Sequence, residues 1–444
     1  MRVSTLSGLI ALMVAQAAQA EKPFPKFRMT EIDPHVGNVC YALTLADVNG
    51  DGKPDIVAVT ENAVVWFENP SWHKRTIIEN QTERDNVCIA PNDIDGDGKV
   101  DFALGASWQP SNTDSGGTIQ WLRRGANLDE KWTVHPIGSE PTVHRMRWGD
   151  LLGSGRPQLV VSPLQGRGTK GPDWGAGRGV RLQAFSIPRN PMSDPWPVET
   201  IDDTLHCMHN HWICDFFGTG RPGVLASSWE GVHWFDRHND HWSKLHLGSG
   251  DQTAAPFKGS SEIKPGAVRG KTAFFATIEP WHGHAVVLYL PPDKQAQGST
   301  SPLWSRRVID DTLKWGHAVW TADLDSDGVD ELLIGQRDKG PGPIAGPGVF
   351  IYRARNPELT QWEKIVVDDG GVATEDLVAG DLNGDGRVDI VAGGRATHNV
   401  RIYENLRPAA DSTVEDANPT ATRVVDHWRS VERNAASHFS LLNE

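Results

Sequence analysis

Cysteine is scarce in this chain, with four residues in 444, too few for a disulfide framework at this length. Cys40 and Cys88 fall at similar places in successive repeats, so a bond between them stands open beside the plainer reading of four buried thiols. Cys207 and Cys214 lie on one expected strand and are not placed to pair. Basic residues are in deficit too: 43 Lys and Arg face 57 Asp and Glu, for a net charge of −14. With no basic stripe, the electrostatic footprint of a nucleic-acid binder is missing. Long apolar runs are lacking as well, and the one near the start is too short to span a bilayer. Arg2, the mostly apolar Leu6 to Ala15 and the small-x-small Ala18-Gln19-Ala20 instead have the order of a secretory signal. Residues 1–20 are therefore expected to be removed, and the mature chain to be secreted or periplasmic with no membrane insertion.

What the chain has in quantity is a repeat. The clearest copies read DVNGDGKPD from Asp47, DIDGDGKVD from Asp93, DLDSDGVDE from Asp323 and DLNGDGRVD from Asp381. DLLGSGRPQ from Asp150 and DFFGTGRPG from Asp215 are eroded copies. Each is followed by a short apolar run such as IVAV or LLIG, and a recurring unit of this kind signals a repeat architecture. The interval from Asp215 to Asp323 holds room for two units. Ser261 to Thr277 supplies the missing copy: its run Ala273-Phe274-Phe275-Ala276 is present and its Asp loop is lost. Each unit carries two further alternating runs, the last usually introduced by Trp, which read as strands. Four strands in each of seven units is an all-β, seven-bladed propeller over residues 21–407. The seventh unit ends without a fourth strand, and Lys26 to Asp33 has that strand's pattern. The N-terminal strand is thus expected to complete the last blade and remove an open edge. Residues 408–444 read as a polar tail.

Within each intact loop, positions one, three, five and nine bear oxygen: Asp47, Asn49, Asp51 and Asp55; Asp93, Asp95, Asp97 and Asp101; Asp323, Asp325, Asp327 and Glu331; Asp381, Asn383, Asp385 and Asp389. A Gly at position six permits the bend in each of the four. This spacing suits a hard cation, Ca²⁺ above all, although the Glu at position twelve of a helical calcium loop is absent. The pattern resembles the FG-GAP and VCBS propeller repeats of integrin-type heads. The ion would staple the turn between a blade's first two strands, or alternatively serve calcium-dependent adhesion.

The repeat also supplies a phase. The residue six places before each first Asp is Tyr41, Val87, His144, His209, His317 and Glu375 in turn. All lie at the face away from the Asp loops, where propeller sites gather. Three imidazoles on one ring suit Zn²⁺ or another borderline metal, His144, His209 and His317 being the expected ligands. Without a metal they could act as acid or base. The same face carries Arg145, Glu279, Trp281 and His282, while Trp108, Trp174, Trp229 and Trp315 are expected in upper loops. Aromatics of this kind suit sugar stacking, and Trp108, Trp229, Trp281, Trp315 and Glu375 are the candidate substrate contacts.

His144-Arg145, Glu279-x-Trp281-His282-Gly283 and Gly316-His317, in that order, resemble the propeller part of the aldos-2-ulose dehydratases. Those enzymes remove water from keto sugars and continue into a cupin-like region that serves a later isomerisation. The resemblance implies the elimination step alone, with a carbohydrate as substrate. His282 or Glu279 would take a proton beside a carbonyl, and Arg145 or a His-bound metal would stabilise the enolate. The other open reading is a non-catalytic, calcium-stapled propeller that binds glycan or protein.

Overall fold

In the computed structural model the described residues are 23–254, 256–292, 303–340, 342–343 and 346–406. The expected signal peptide and polar tail lie outside them. The chain forms seven antiparallel four-stranded sheets. Their first strands are β2 (Cys40–Ala46), β6 (Cys88–Asn92), β10 (Val143–Gly149), β14 (Asn210–Cys214), β18 (Ile263–Val268), β22 (Gly316–Ala322) and β26 (Thr374–Gly380). Each first strand touches the next, and β26 touches β2, so the seven close a ring around a central channel. The fold is a seven-bladed β-propeller.

Closure falls where the sequence put it. β1 (Phe27–Asp33) pairs antiparallel with β28 (Val400–Asn405), from Phe27 opposite Asn405 to Asp33 opposite Val400. The last blade thus takes its outermost strand from the other end of the chain, leaving no unpaired first or last strand to template association. Between blades the core divides into apolar clusters, each shared by two neighbours. Val57 and Trp66 of the first blade meet Phe102 and Leu104 of the second. Leu225 and Trp234 of the fourth meet Phe275 and Tyr289 of the fifth.

The Asp loops work as turns in their own right. Asp47 accepts the amides of Gly50 (2.7 Å) and Gly52 (2.8 Å), and Asp55 accepts that of Val48 (2.8 Å). In the eroded loops Asp150 still accepts the amide of Gly155, and Asp215 that of Gly220. This capping needs no ion, which is why the first Asp survives where positions three and nine have become Leu152 and Gln158. The fifth blade dispenses with the loop. Arg269 and Gly270, both at positive φ (48° and 71°), join β18 to β19 (Lys271–Glu279) as a two-residue hairpin turn.

All four thiols are free, so the Cys40–Cys88 bond does not form. The two face different gaps between blades. Cys40 packs in the cluster shared by the seventh and first blades, Cys88 in that shared by the second and third.

Candidate functional site

The period-matched residues meet at the mouth of the channel. The chain of rings runs around it: Tyr41 to Trp108 (6.0 Å between centroids), Trp108 to His144 (5.6 Å), His144 to His209 (4.5 Å) and His209 to His282 (4.2 Å). His282 to His317 (4.7 Å) continues it, and Glu375 follows. Tyr41, His144, His209, His317 and Glu375 each stand at or beside the start of a first strand, so ring closure of the propeller converts one sequence phase into one layer of side chains, into which Trp108 and His282 enter from loops after second strands.

Ligand atoms of His209, His282 and His317 all lie within 4.8 Å of one another. This differs from the expected set in one member. His282 comes from the loop after β19 and takes the third place, while His144 stands alongside His209. One of the three imidazoles has its Nδ1 hydrogen-bonded, and a second has a carboxylate close to it. His317 Nδ1 donates to the Glu375 carbonyl at 2.6 Å. His209 Nδ1 lies 2.8 Å from Glu262 Oε1, close in distance though not aligned as a hydrogen bond. On His317 the outward nitrogen is thereby held and the other left to face the cluster, the arrangement that orients metal-bound histidines. His282 Nδ1 and both ring nitrogens of His209 and of His144 are buried with no hydrogen-bond partner among the described residues. Burial drives all four imidazoles below their usual pKa, Arg145 adding to the effect at His144. Neutral imidazoles with unsatisfied nitrogens fit a borderline divalent metal.

Glu262 was missed by sequence reasoning. It precedes β18 and occupies the fifth blade's place in the ring, but that blade has no Asp from which to count back. The signal lay in the register: Asn210 faces Ser227 in one blade and Ile263 faces Thr277 in the next, so Glu262 corresponds to His209. Burial opposes its ionisation, and His209 and Arg145 outweigh that to hold its carboxyl at about 2. Arg145 Nη2 stands 3.8 Å from the same carboxylate. Arg145 is therefore tied to Glu262 and to the His144 carbonyl (3.0 Å). Glu375 is joined by Arg395 at 2.6 Å, and burial pushes its pKa up against that cation.

The structure uses two expected residues elsewhere. Glu279 is wholly buried and accepts from Thr277 and Tyr289 (2.8 Å each) and Arg306 (2.6 Å), so its oxygens are occupied away from the histidines. Trp229 is 2% exposed and cannot offer a stacking face. Trp108, Trp281 and Trp315 are half-buried at the rim. Exposed Phe257 stacks on Trp281 at 5.2 Å, and the Arg337 guanidinium covers Trp315 at 4.4 Å.

On the opposite face, carboxylate oxygens converge within 4.8 Å in two loops, Asp93/Asp95/Asp101 and Asp323/Asp325/Glu331. Burial raises Asp101 to about 7 and Asp323 to about 6. Desolvated carboxylates set this close repel one another, and hard oxygen donors of this kind fit Ca²⁺. In the loops from Asp47 and Asp381, whose third positions are Asn49 and Asn383, no three-carboxylate cluster is described.

Residues 116–292 match the aldos-2-ulose dehydratase β-propeller domain, and residues 47–104 and 323–392 match the FG-GAP-like repeat. The first match encloses His144, His209, Glu262 and His282; His317 lies outside both. The chain is 26% identical to an aldos-2-ulose dehydratase of Phanerodontia chrysosporium over 278 residues. The match takes in 58% of this chain and 30% of that protein, so the chain spans under a third of its relative's length. Among solved structures, BBS1N in complex with ARL6DN aligns at TM-score 0.49 and 13% identity, over 87% of this chain and 98% of the other. An Agrocybe aegerita lectin that recognises non-reducing terminal N-acetylglucosamine aligns at 0.47 and 14%, over 79% and 88%.

Proposed function

We propose that this chain is an exported carbohydrate-acting lyase of the dehydratase type, working at the channel mouth on a keto or oxidised sugar. The observation that carries the reading is the buried cluster of His209, His282 and His317, in which His209 Nε2 and His282 Nδ1 have no hydrogen-bond partner among the described residues, in a mouth rimmed by Trp108, Trp281 and Trp315. The likeness to the dehydratase propeller supports the reaction class.

His209, His282 and His317 would hold a divalent metal such as Zn²⁺, which when bound would polarise the substrate carbonyl and acidify the carbon beside it. The chain's own groups supply the rest. His144, kept neutral by burial and without a partner at either nitrogen, takes the proton from that carbon. The electron pair left behind forms the new double bond and expels the oxygen on the next carbon. Glu375, whose burial favours the protonated form, delivers the proton that lets this oxygen leave as water. Arg145 does not reach the substrate in this scheme; it keeps Glu262 charged, and Glu262 holds His209. Trp281, with Phe257 stacked on it, offers the platform for the sugar face. Ca²⁺ in the two acidic clusters serves as a staple for the turns, on the face away from the chemistry.

The test is elimination followed as the ultraviolet absorbance of the conjugated ketone, with metal content measured beside it. His144→Ala should cost about 10²- to 10⁴-fold, the usual contribution of a positioned base. Full activity in folded His144→Ala, His209→Ala and His317→Ala variants would remove the site. A metal-free protein that binds glycan without turning it over would favour the binding module.

A further inference from the structure

A cavity of about 500 Å³ opens at the segment leading to β14, lined by Arg167, Gly177, Arg178, Arg181, Asp203 and His206 among others. Three guanidiniums in one cavity stand out in a chain of net charge −14. Two of them are fixed from behind. Glu140, 1% exposed, receives Arg167 through Nε and Nη2 at 3.1 Å each, and Arg181 through the same two atoms, Nε at 3.2 Å. One buried carboxylate thus answers two cations, leaving a positive excess held rigid before any ligand arrives. Arg178 adds a third cation, with no ion pair among the described residues. Asp203 is the one acid in the lining, and His206 is committed to Glu230 at 2.8 Å.

The walls are built from backbone. Val180 donates to the Leu205 carbonyl at 2.7 Å, and a Cβ on Gly179 would meet the Asp203 carbonyl oxygen at 2.2 Å. The strand-connecting segment that carries Arg178 and Arg181 is therefore pressed against the one leading to His209. His206 and His209 are three residues apart, at most about 11 Å of chain. That is within the span of two sugar units.

We infer that this cavity binds the anionic group of an acidic saccharide, a carboxylate or sulfate, while the neighbouring unit lies over the imidazole cluster. Pre-organised, planar guanidiniums suit such two-oxygen acceptors better than lysines do. The choice of a saccharide over a free anion rests on the function proposed above; the anion site itself rests on the cavity.

Calorimetric titration of the purified protein separates the two. A uronate oligosaccharide should bind, and its neutral counterpart at least about tenfold more weakly. Arg178→Ala, at an exposed position, should cost the acidic ligand at least about tenfold and the neutral one nothing, and Arg178→Glu should cost more. Equal affinities for acidic and neutral oligosaccharides, or an unchanged isotherm in both variants, overturns the inference. Inorganic sulfate or phosphate binding as tightly as the oligosaccharide overturns the saccharide part. Binding that survives in the His209→Ala/His317→Ala variant upholds the cavity, and if the wild-type protein shows no elimination activity the catalytic reading alone falls.

Discussion

Replacing Glu262 by Gln separates a metal-orienting carboxylate from a merely structural one. Two effects follow from the geometry. Its oxygen stands 3.8 Å from Arg145 Nη2, an attraction of about 4 kcal/mol at an effective dielectric of 20. Relief of the carboxylate's desolvation offsets part of that, so the metal-free protein should lose at most the roughly 3–5 kcal/mol typical of a broken buried pair. The second effect acts through His209. The same oxygen lies 2.8 Å from its Nδ1, and loss of such a partner typically weakens metal affinity by about 10- to 100-fold. That is about 1.4–2.7 kcal/mol of lost binding free energy, and at saturating metal the extra stability conferred by the ion falls by the same amount. Thermal unfolding with and without Zn²⁺, beside a competition titration against a chromogenic chelator, reads both. If Glu262→Gln lowers metal-free stability while Zn²⁺ affinity stays within twofold of wild type, Glu262 is a structural counter-ion and the cluster is not organised as argued.

Asp310 gives a pH-dependent case. Burial opposes its charge, but Thr312, Tyr352 and Lys364 outweigh this and bring it from 3.8 to about 2. A lowered carboxylate pKa stabilises the fold above the unfolded value and ceases to as pH falls through the folded one. Asp310→Asn should therefore cost about 2 kcal/mol near neutrality, with the difference from wild type shrinking from pH 4 toward pH 2; a constant difference in denaturant melts would refute it. Gly105 has no room for a methyl, since a Cβ there would meet Cys88 Sγ at 2.6 Å. Gly105→Ala should cost about 1–3 kcal/mol, and Cys88→Ala on that background should recover part of it, whereas additive losses would place the strain elsewhere. A chain beginning at Pro34 lacks β1 and bares the edge of β28, so light scattering should detect self-association that the intact chain does not show. A monomeric truncated protein of unchanged melting temperature would make that strand dispensable.

The architecture was legible because it is written locally. Turn chemistry at each Asp loop, period-two alternation and the Trp that introduces six of the seven fourth strands are all decided within a few residues of chain. Their repetition alone therefore gave seven blades, the closure by Lys26 to Asp33 and the phase of His144, His209, His317 and Glu375. Even the degenerate blade was found from Ala273-Phe274-Phe275-Ala276. What those residues do to one another was decided only by ring closure. Glu262 had no loop to count from, and its place under His209 comes from strand register. His282, not His144, joins His209 and His317, because the loop after β19 returns over the channel. Glu279 and Trp229 carry the right chemistry in the right segments, yet one is bound by Thr277, Tyr289 and Arg306 and the other is buried. Local backbone preferences fix where each side chain starts; contacts between blades up to hundreds of residues apart fix which atoms remain unsatisfied, and it is the unsatisfied atoms that make a site.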